Sequence, residues 1–521
     1  MNRLSTLLSI VLLTAALLVH AADEKPARQP NIIYILCDDL GYGDVQCLNP
    51  QGKIATPHVD ALAKAGMIFT DAHSGSAVCT PTRYGVMTGR YAWRTKLQKG
   101  VLGGLSPSLI APDRLTVADL LKKHGYRTAC VGKWHLGLDW AKKPGKDVNA
   151  LNIESAQQVN NVDYAQPFGG GPLAAGFDEY FGISASLDMV PYTFLKNDRV
   201  TVLPTVEKSF PMMLGRTGGQ TRKGPAAPEF EAEQVLPELT KEAIAFIERQ
   251  AKDARNGKPF FLYLPLASPH TPIVATKEWQ GKSGLNPYAD FVMQTDHSVG
   301  KILKALDEQK LTDDTLVIFT SDNGCSPQAK FEELKEKGHN PSYVFRGTKA
   351  DIFEGGHRVP FIVRWPGQVP AGKTSDQITC LTDLLATAAD IVGEKLPANA
   401  GEDSVSMLSA FKGTATEPIR EAIVHHSING SFAIRQGKYK LEVCRGSGGW
   451  SEPKPGTKAE TDLPVIQLYD LSADIGEQQN LQAEKSSKVG ELTNLLNRYI
   501  QRGRSTAGAS QQNDVKIPLV K

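Results

Sequence analysis

No CxxC pair occurs among the seven cysteines of this 521-residue chain (37, 47, 79, 130, 325, 380 and 444), so the ligand spacing of a structural zinc site is missing. Their odd number leaves at least one cysteine without a partner in the same chain. An excess of one charge is missing too: 58 Lys and Arg face 56 Asp and Glu. That balance offers no basic face to nucleic acid or to an acidic membrane surface, so any preference for an anion has to come from a local cluster. Beyond the N-terminus no apolar run is long enough to span a bilayer, and no internal repeat is visible. What is present is an ordinary globular composition, 41% hydrophobic and 22% charged.

The N-terminus reads as an address. "MNRLSTLLSIVLLTAALLVHAADEK" has Arg3, an apolar stretch from Leu7 to Val19, and small residues at Ala21 and Ala22. This predicts a secretory signal over residues 1–21 and a periplasmic or secreted mature protein with no membrane span.

Strand and helix signals alternate through the first half. "NIIYILCDD" is a continuous apolar run ending in two acids, the pattern of a buried strand with carboxylates at its C-terminal end. "TPHVDALAKAG" offers Thr56 as N-cap, Pro57 at the first helical position and Gly66 as the stop. "LTVADLLKKHGYRTACVGKWHLG" repeats the scheme, with Thr116 as cap and a strand from Arg127 delivering Lys133 and His135. A helix over 236–251 leads to "PFFLYLPLASPHTP", and one over 287–309 leads to "TLVIFTSDNG". The polar residues therefore gather past strand C-termini, where open α/β sheets bind ligands. The expected fold class is α/β: a large, mainly parallel or mixed sheet flanked by helices, with a smaller C-terminal α+β subdomain. Residues 22–400 form the first unit and 401–521 the second. Residues 140–235 read as insertions over the site face. "SFAIRQGKYKLEVC" reads as a hairpin, 487–502 as a helix, and the polar tail from Ser505 as mobile.

Asp38 and Asp39 at one strand end, with Asp322 and Asn323 at another, make the first candidate site. If those strands are neighbours, three carboxylates crowd together; like charges about 4 Å apart repel by roughly 4 kcal/mol at an effective dielectric near 20. A cation relieves this, and an all-oxygen shell favours Ca²⁺ or Mg²⁺ over zinc. Each pair alone is also common turn chemistry. The second candidate is Cys79 in "SAVCTPTRYGVMTGR", ahead of Arg83. A disulfide, a buried thiol and a chemically altered catalytic residue are all open to it. Pro81 suits the first turn of a helix, and a helix start favours an anion.

"CTPTR" resembles the C-x-P-x-R signature of the type I sulfatases of the alkaline-phosphatase superfamily, whose cysteine is oxidised to formylglycine. "LCDDLGYGD", "GKWHLG", "TSDNG" and "RGTKADIFEGGHRVPFIVRWPG" resemble further blocks of that family in the expected order, and "QLYDLSADIGEQQNL" resembles its C-terminal subdomain. The resemblance implies that Asp38, Asp39, Asp322, Asn323 and the modified Cys79 hold Ca²⁺, in preference to Mg²⁺. It implies that one hydroxyl of the aldehyde hydrate attacks sulfur and the other expels sulfate. Arg83 then supports the formylglycine, Lys133 and Lys349 bind sulfate oxygens, His135 is the base for sulfate release, and His270 is the acid for the leaving alcohol. A formylglycine-generating enzyme is the implied maturation partner.

Ser186 in "FGISASLDM" matches a family serine near the sulfate, while His357 and Asp188 are candidates for gripping a sugar hydroxyl. Trp93, Trp134 and Trp140 are assigned to core packing ahead of sugar stacking. The expected activity is hydrolysis of a sulfate ester, on a sulfated saccharide in preference to an aryl sulfate, with a lean toward galactose or N-acetylgalactosamine sulfates. Two alternatives stay open: a phosphodiester or phosphonate hydrolase of the same superfamily, and an inactive carbohydrate-binding relative.

Overall fold

A computed structural model of the chain describes residues 29–148, 151–155 and 157–519; the predicted signal segment lies outside them. The strand Asn31–Cys37 is buried along its whole length. It pairs in parallel with Thr315–Ser321 on one side and Phe260–Pro265 on the other. Helices cover both faces of such a strand, so it has no polar side to alternate with. Arg127–Lys133 and Glu179–Ile183 extend the parallel run. At the far end Phe361–Arg364 and Met67–Phe69 join antiparallel to their neighbours, with Lys373–Ser375 parallel at the edge. Two short strands, Leu195–Lys196 and Arg199–Val200, close the other edge of this ten-stranded mixed sheet.

The helices follow their caps. Thr116 accepts from the Asp119 amide while the Asp119 carboxylate takes the Thr116 amide, a capping box that starts Val117–Lys123. Asn286 caps Pro287–Glu308 through the Ala289 amide. Thr56 differs from expectation. Pro57 does open a helix, but the Thr56 hydroxyl donates to Asp60 and accepts from the Gln46 amide instead of capping.

Residues 140–235 hold more order than their glycine-rich composition suggests. Glu179–Ile183 is the fifth parallel strand, hidden in the sequence because it is five residues long between loops. Its extension fixes the site: the Trp134 amide donates to the Ile183 carbonyl and the His135 amide to that of Ser184.

A four-stranded antiparallel sheet runs from Ile423 to Asp470. The predicted hairpin is Phe432–Gln436 paired with Tyr439–Glu442, turning at Gly437 with φ +55°. Leu492, Leu495 and Leu496 of the helix Ser486–Gln501 pack on this sheet, as do Tyr91 and Trp93 from the larger body. The tail is not loose. The Ser505 amide donates to Asp403, Arg90 and Arg94 hold Asp514 and Asn513, and Ile517 is buried. A polar composition conceals such specific bonds. No helix among the described residues is long and apolar enough to cross a membrane.

Candidate active site

Parallel register places Cys37 opposite Ser321, so the two acidic strand ends emerge side by side. Asp39 turns out of its strand at φ +64°, a left-handed conformation that Asp tolerates better than most residues. Its amide lies 3.3 Å from Asp322 Oδ1, and its Oδ1 accepts from Asn323 Nδ2 at 2.7 Å. Gly41 and Gly43 let the next turn run against another loop: a Cβ on either would stand 2.3 or 2.2 Å from the carbonyls of Pro341 and Asn340. Asp44, which the sequence reading passed over, braces this turn. It accepts from the Gly41 amide and Tyr288 and bonds His339 at 2.8 Å.

Cations surround the carboxylates. Lys133 Nζ is 2.6 Å from Asp38 Oδ2, and Lys349 Nζ is 2.8 Å from Asp39 Oδ2. Arg83 donates from Nε and Nη2 to Asp322 Oδ2 at 3.0 and 2.8 Å, and from Nη1 to the Lys133 carbonyl. All of these side chains are buried. Burial raises the cost of ionising Asp38, but Lys133, His270 and Arg83 outweigh it and hold its carboxyl well below the ordinary range. Burial and the Asp38 charge instead push Asp322 up to about 7, against the pull of Arg83. The two carboxyls therefore sit in one cage with opposite shifts, Asp38 held ionised and Asp322 pushed toward its protonated form.

Two further oxygens, Asp38 Oδ1 and Asn323 Oδ1, are buried without a hydrogen-bond partner. Orphaned hard oxygens beside Asp39 and Asp322 fit a divalent cation of the calcium or magnesium type.

Cys79 opens the helix Cys79–Thr88, with Pro81 in its first turn as expected. It is a free, buried thiol, and all seven cysteines are free. Burial pushes its pKa up while Lys133 and Lys349 pull it down, and Asp322 and Asp38 also act on it, so residue 79 feels the cage directly. As an ordinary thiol it is therefore poorly ionised.

His135 sits at φ +55° just past Lys133. Its Nε2 lies 2.8 Å from the Leu102 carbonyl, which can only accept, so Nε2 carries the hydrogen and Nδ1 is the bare nitrogen. That Nδ1 has no partner, and burial, aided by Lys133, holds its pKa well below the usual value. His270 Nδ1 is likewise engaged by the Thr271 carbonyl at 2.6 Å, leaving Nε2 3.7 Å from Asp39 Oδ2.

The less certain candidates separate. Ser186 is buried with an unpartnered Oγ. Asp188 pairs with Arg222 at 2.7 Å, a partner the sequence did not suggest, and its Oδ1 is unpartnered. His357 offers no surface to a sugar. It is fully buried, stacked on His425 at 3.8 Å, with Nδ1 3.1 Å from His73 and Nε2 3.1 Å from Lys440. Asp71 accepts from His73 Nε2 at 2.7 Å, and His357 Nε2 also lies 3.1 Å from the Ile352 carbonyl, so both rings are enclosed by partners. The three histidines have metal-ligand spacing, but those nitrogens of His73 and His357 are already spoken for. Trp93, Trp134 and Trp140 are buried in cores, as expected.

Comparison with known proteins agrees with this geometry. A family model described as Sulfatase matches residues 30–394. The N-acetylgalactosamine-6-O-sulfatase of Bacteroides thetaiotaomicron is 34% identical, covering 92% of this chain and 94% of that protein. Human arylsulfatase A is 32% identical, covering 92% and 89%. A solved structure described under metabolism of multiple glycosaminoglycans by Bacteroides thetaiotaomicron superposes with a TM-score of 0.76 at 33% identity, over 91% of this chain and 99% of that one. Spanned from the first acidic strand to the late lysine loop by one family model, and matched by relatives over nearly their whole length, the chain belongs to the sulfatase family and is a sulfuric ester hydrolase.

Proposed function

We propose that this protein releases sulfate from a sulfated carbohydrate after export to the periplasm or beyond, with Cys79 matured to formylglycine by a generating enzyme and Ca²⁺ in the carboxylate cage. Residues 22–400 carry the chemistry and 401–521 flank it. The carrying observation is the convergence of two orphaned oxygens, three carboxylates and three cations, of which Lys133, Lys349, Asp322 and Asp38 act electrostatically on residue 79. Asp38, Asp39, Asp322 and Asn323 would hold the ion with residue 79. When bound it supplies a Lewis acid toward the sulfate and the attacking hydroxyl, which the hydrated aldehyde would contribute.

The chain's own groups account for the rest. Arg83 holds Asp322 and neutralises part of the cage. Each lysine ammonium has three hydrogens, so Lys133 and Lys349 can serve a carboxylate and still offer a donor to a sulfate oxygen. The bare Nδ1 of His135 takes the proton from the second hydroxyl as sulfate leaves. His270, with Nδ1–H tied to a carbonyl, presents Nε2 and as the imidazolium gives the Nε2 proton to the departing alcohol. Ser186, with its free hydroxyl, is a further donor toward the sulfate.

The named activity of the Bacteroides relative supports a 6-O-sulfated N-acetylgalactosamine residue as substrate. The test is a panel of 2-, 4- and 6-sulfated mono- and oligosaccharides with a phosphate diester as control. Release of sulfate fastest from the 6-O-sulfated hexoses is the expected result; faster diester cleavage would overturn the reading.

A further inference from the structure

A groove of about 730 Å³ lies alongside the loop that carries Lys349, within the range of ligand pockets. Lys330, Phe331, Arg346, Thr348, Trp450 and Lys454 contribute to its walls. Thr348 precedes Lys349 directly, so one wall is continuous with the lysine beside the cage. The opposite wall comes from the C-terminal part of the chain. Trp450 there is 42% exposed, unlike the three tryptophans buried in cores. A large aromatic face left to solvent in a cavity wall is a platform for the apolar face of a sugar ring.

The two walls are tied together by one residue. Buried Asp351 accepts from the Thr348 amide at 2.8 Å, from the Trp450 and Ser451 amides at 2.7 and 3.0 Å, and from the Ser451 hydroxyl. The groove is therefore held at fixed width relative to Lys349. Its acids are already engaged: Glu332 by Lys335, Glu333 by Arg216 and Glu452 by Lys454. Arg346 is spent on Phe353 and the Glu477 carbonyl. Lys330 makes no ion pair among the described residues, which leaves the groove one uncommitted cation.

We infer that this groove is a saccharide subsite for the anionic sugar neighbouring the sulfated residue, with Trp450 stacking on its ring and Lys330 meeting its charge. The inference rests on the carbohydrate sulfatase reading of the adjacent cage. It makes the protein a reader of oligosaccharides beyond the residue it desulfates.

The test is calorimetric binding to the Cys79→Ser protein, which cannot turn substrate over. Three tetrasaccharides share a 6-sulfated terminal hexose and carry a carboxylate, a sulfate ester or no charge on the second sugar. Trp450→Ala should weaken all three about tenfold, and Trp450→Phe should restore most of the loss. Lys330→Ala should abolish the preference for the charged forms, and the form most affected identifies the anion. Equal affinity in Trp450→Ala and the parent, with unchanged melting, overturns the subsite. Trp450-dependent binding, in a protein whose parent carries the aldehyde at residue 79 and still releases no sulfate, would keep the subsite and reject the catalytic reading.

Discussion

Lys349 shows what a single side chain does in this cage. It is buried against Asp39; burial alone would depress its ammonium, but the Asp39 carboxylate, with smaller help from its neighbours, holds it well above the usual lysine range. It is therefore a permanent cation, suited to charge that grows in the transition state. Losing one such preorganised donor costs about 3 kcal/mol, or about a hundredfold in rate. Lys349→Ala, with calcium present to compensate Asp39, should keep the melting temperature near that of the parent and lose about that factor in kcat/KM. Unchanged turnover removes Lys349 from the site. Asp38, Asp39, Asp322, Asn323 and Lys133 were legible in the sequence because they end or follow strands, and Cys79 because it opens a helix, whereas Arg83 and Lys349 were found through the family resemblance. Asp44 and Asp351 were not legible, since the partners that give them their role lie far along the chain: the Tyr288 and His339 side chains for Asp44, and the Trp450 and Ser451 amides for Asp351. His357 misled for the opposite reason: its motif neighbours the site, but a one-turn helix, Glu354–His357, directs it into the interior.

At the scale of elements, the site depends on how closely three strands approach. Gly132, at φ +143°, precedes Lys133, and a Cβ there would stand 1.9 Å from the Pro265 carbonyl. A Cβ on Gly182 would stand 1.7 Å from the Gly132 carbonyl. Neither obstacle is a flexible side chain, so the strand itself would have to shift. Gly132→Ala should therefore displace Lys133 and His135 together, lowering kcat by more than tenfold while costing roughly 1–3 kcal/mol of stability by overpacking. Denaturant melts with parallel kinetics check this; full activity would show that the close approach does not set the site. Strands with long apolar runs and helices with clear caps could be read in advance. Glu179–Ile183 could not, because five residues among glycine-rich loops carry too little periodicity.

Across the whole molecule, buried charge joins the C-terminal sheet to the larger body. His73 and His357 belong to the body and His425 to the sheet strand Ile423–His426. Asp71, Glu354, Arg358, Arg435, Lys440 and Glu477 face them. Burial is the first cause that depresses all three histidine pKa values, so they are neutral when folded. The unfolded chain protonates them near the ordinary value of about 6.5. Below that pH the unfolded state binds more protons, so stability is present above about pH 6.5 and falls as pH drops, with up to about 4 kcal/mol per pH unit from the three together. Urea melts from pH 7.5 to 5 should show the slope, and His425→Phe should remove about a third of it. A flat profile would mean that the histidines are not held neutral.

The central claim is that sulfate release requires an aldehyde at residue 79 above the cation cage. The direct measurement is specific activity across preparations whose aldehyde content at residue 79 is quantified by peptide mass spectrometry, each with calcium present and after chelation. Activity should rise in proportion to aldehyde, vanish in Cys79→Ala, and fall on chelation with recovery on adding calcium. Full turnover by protein carrying only the thiol would contradict the account.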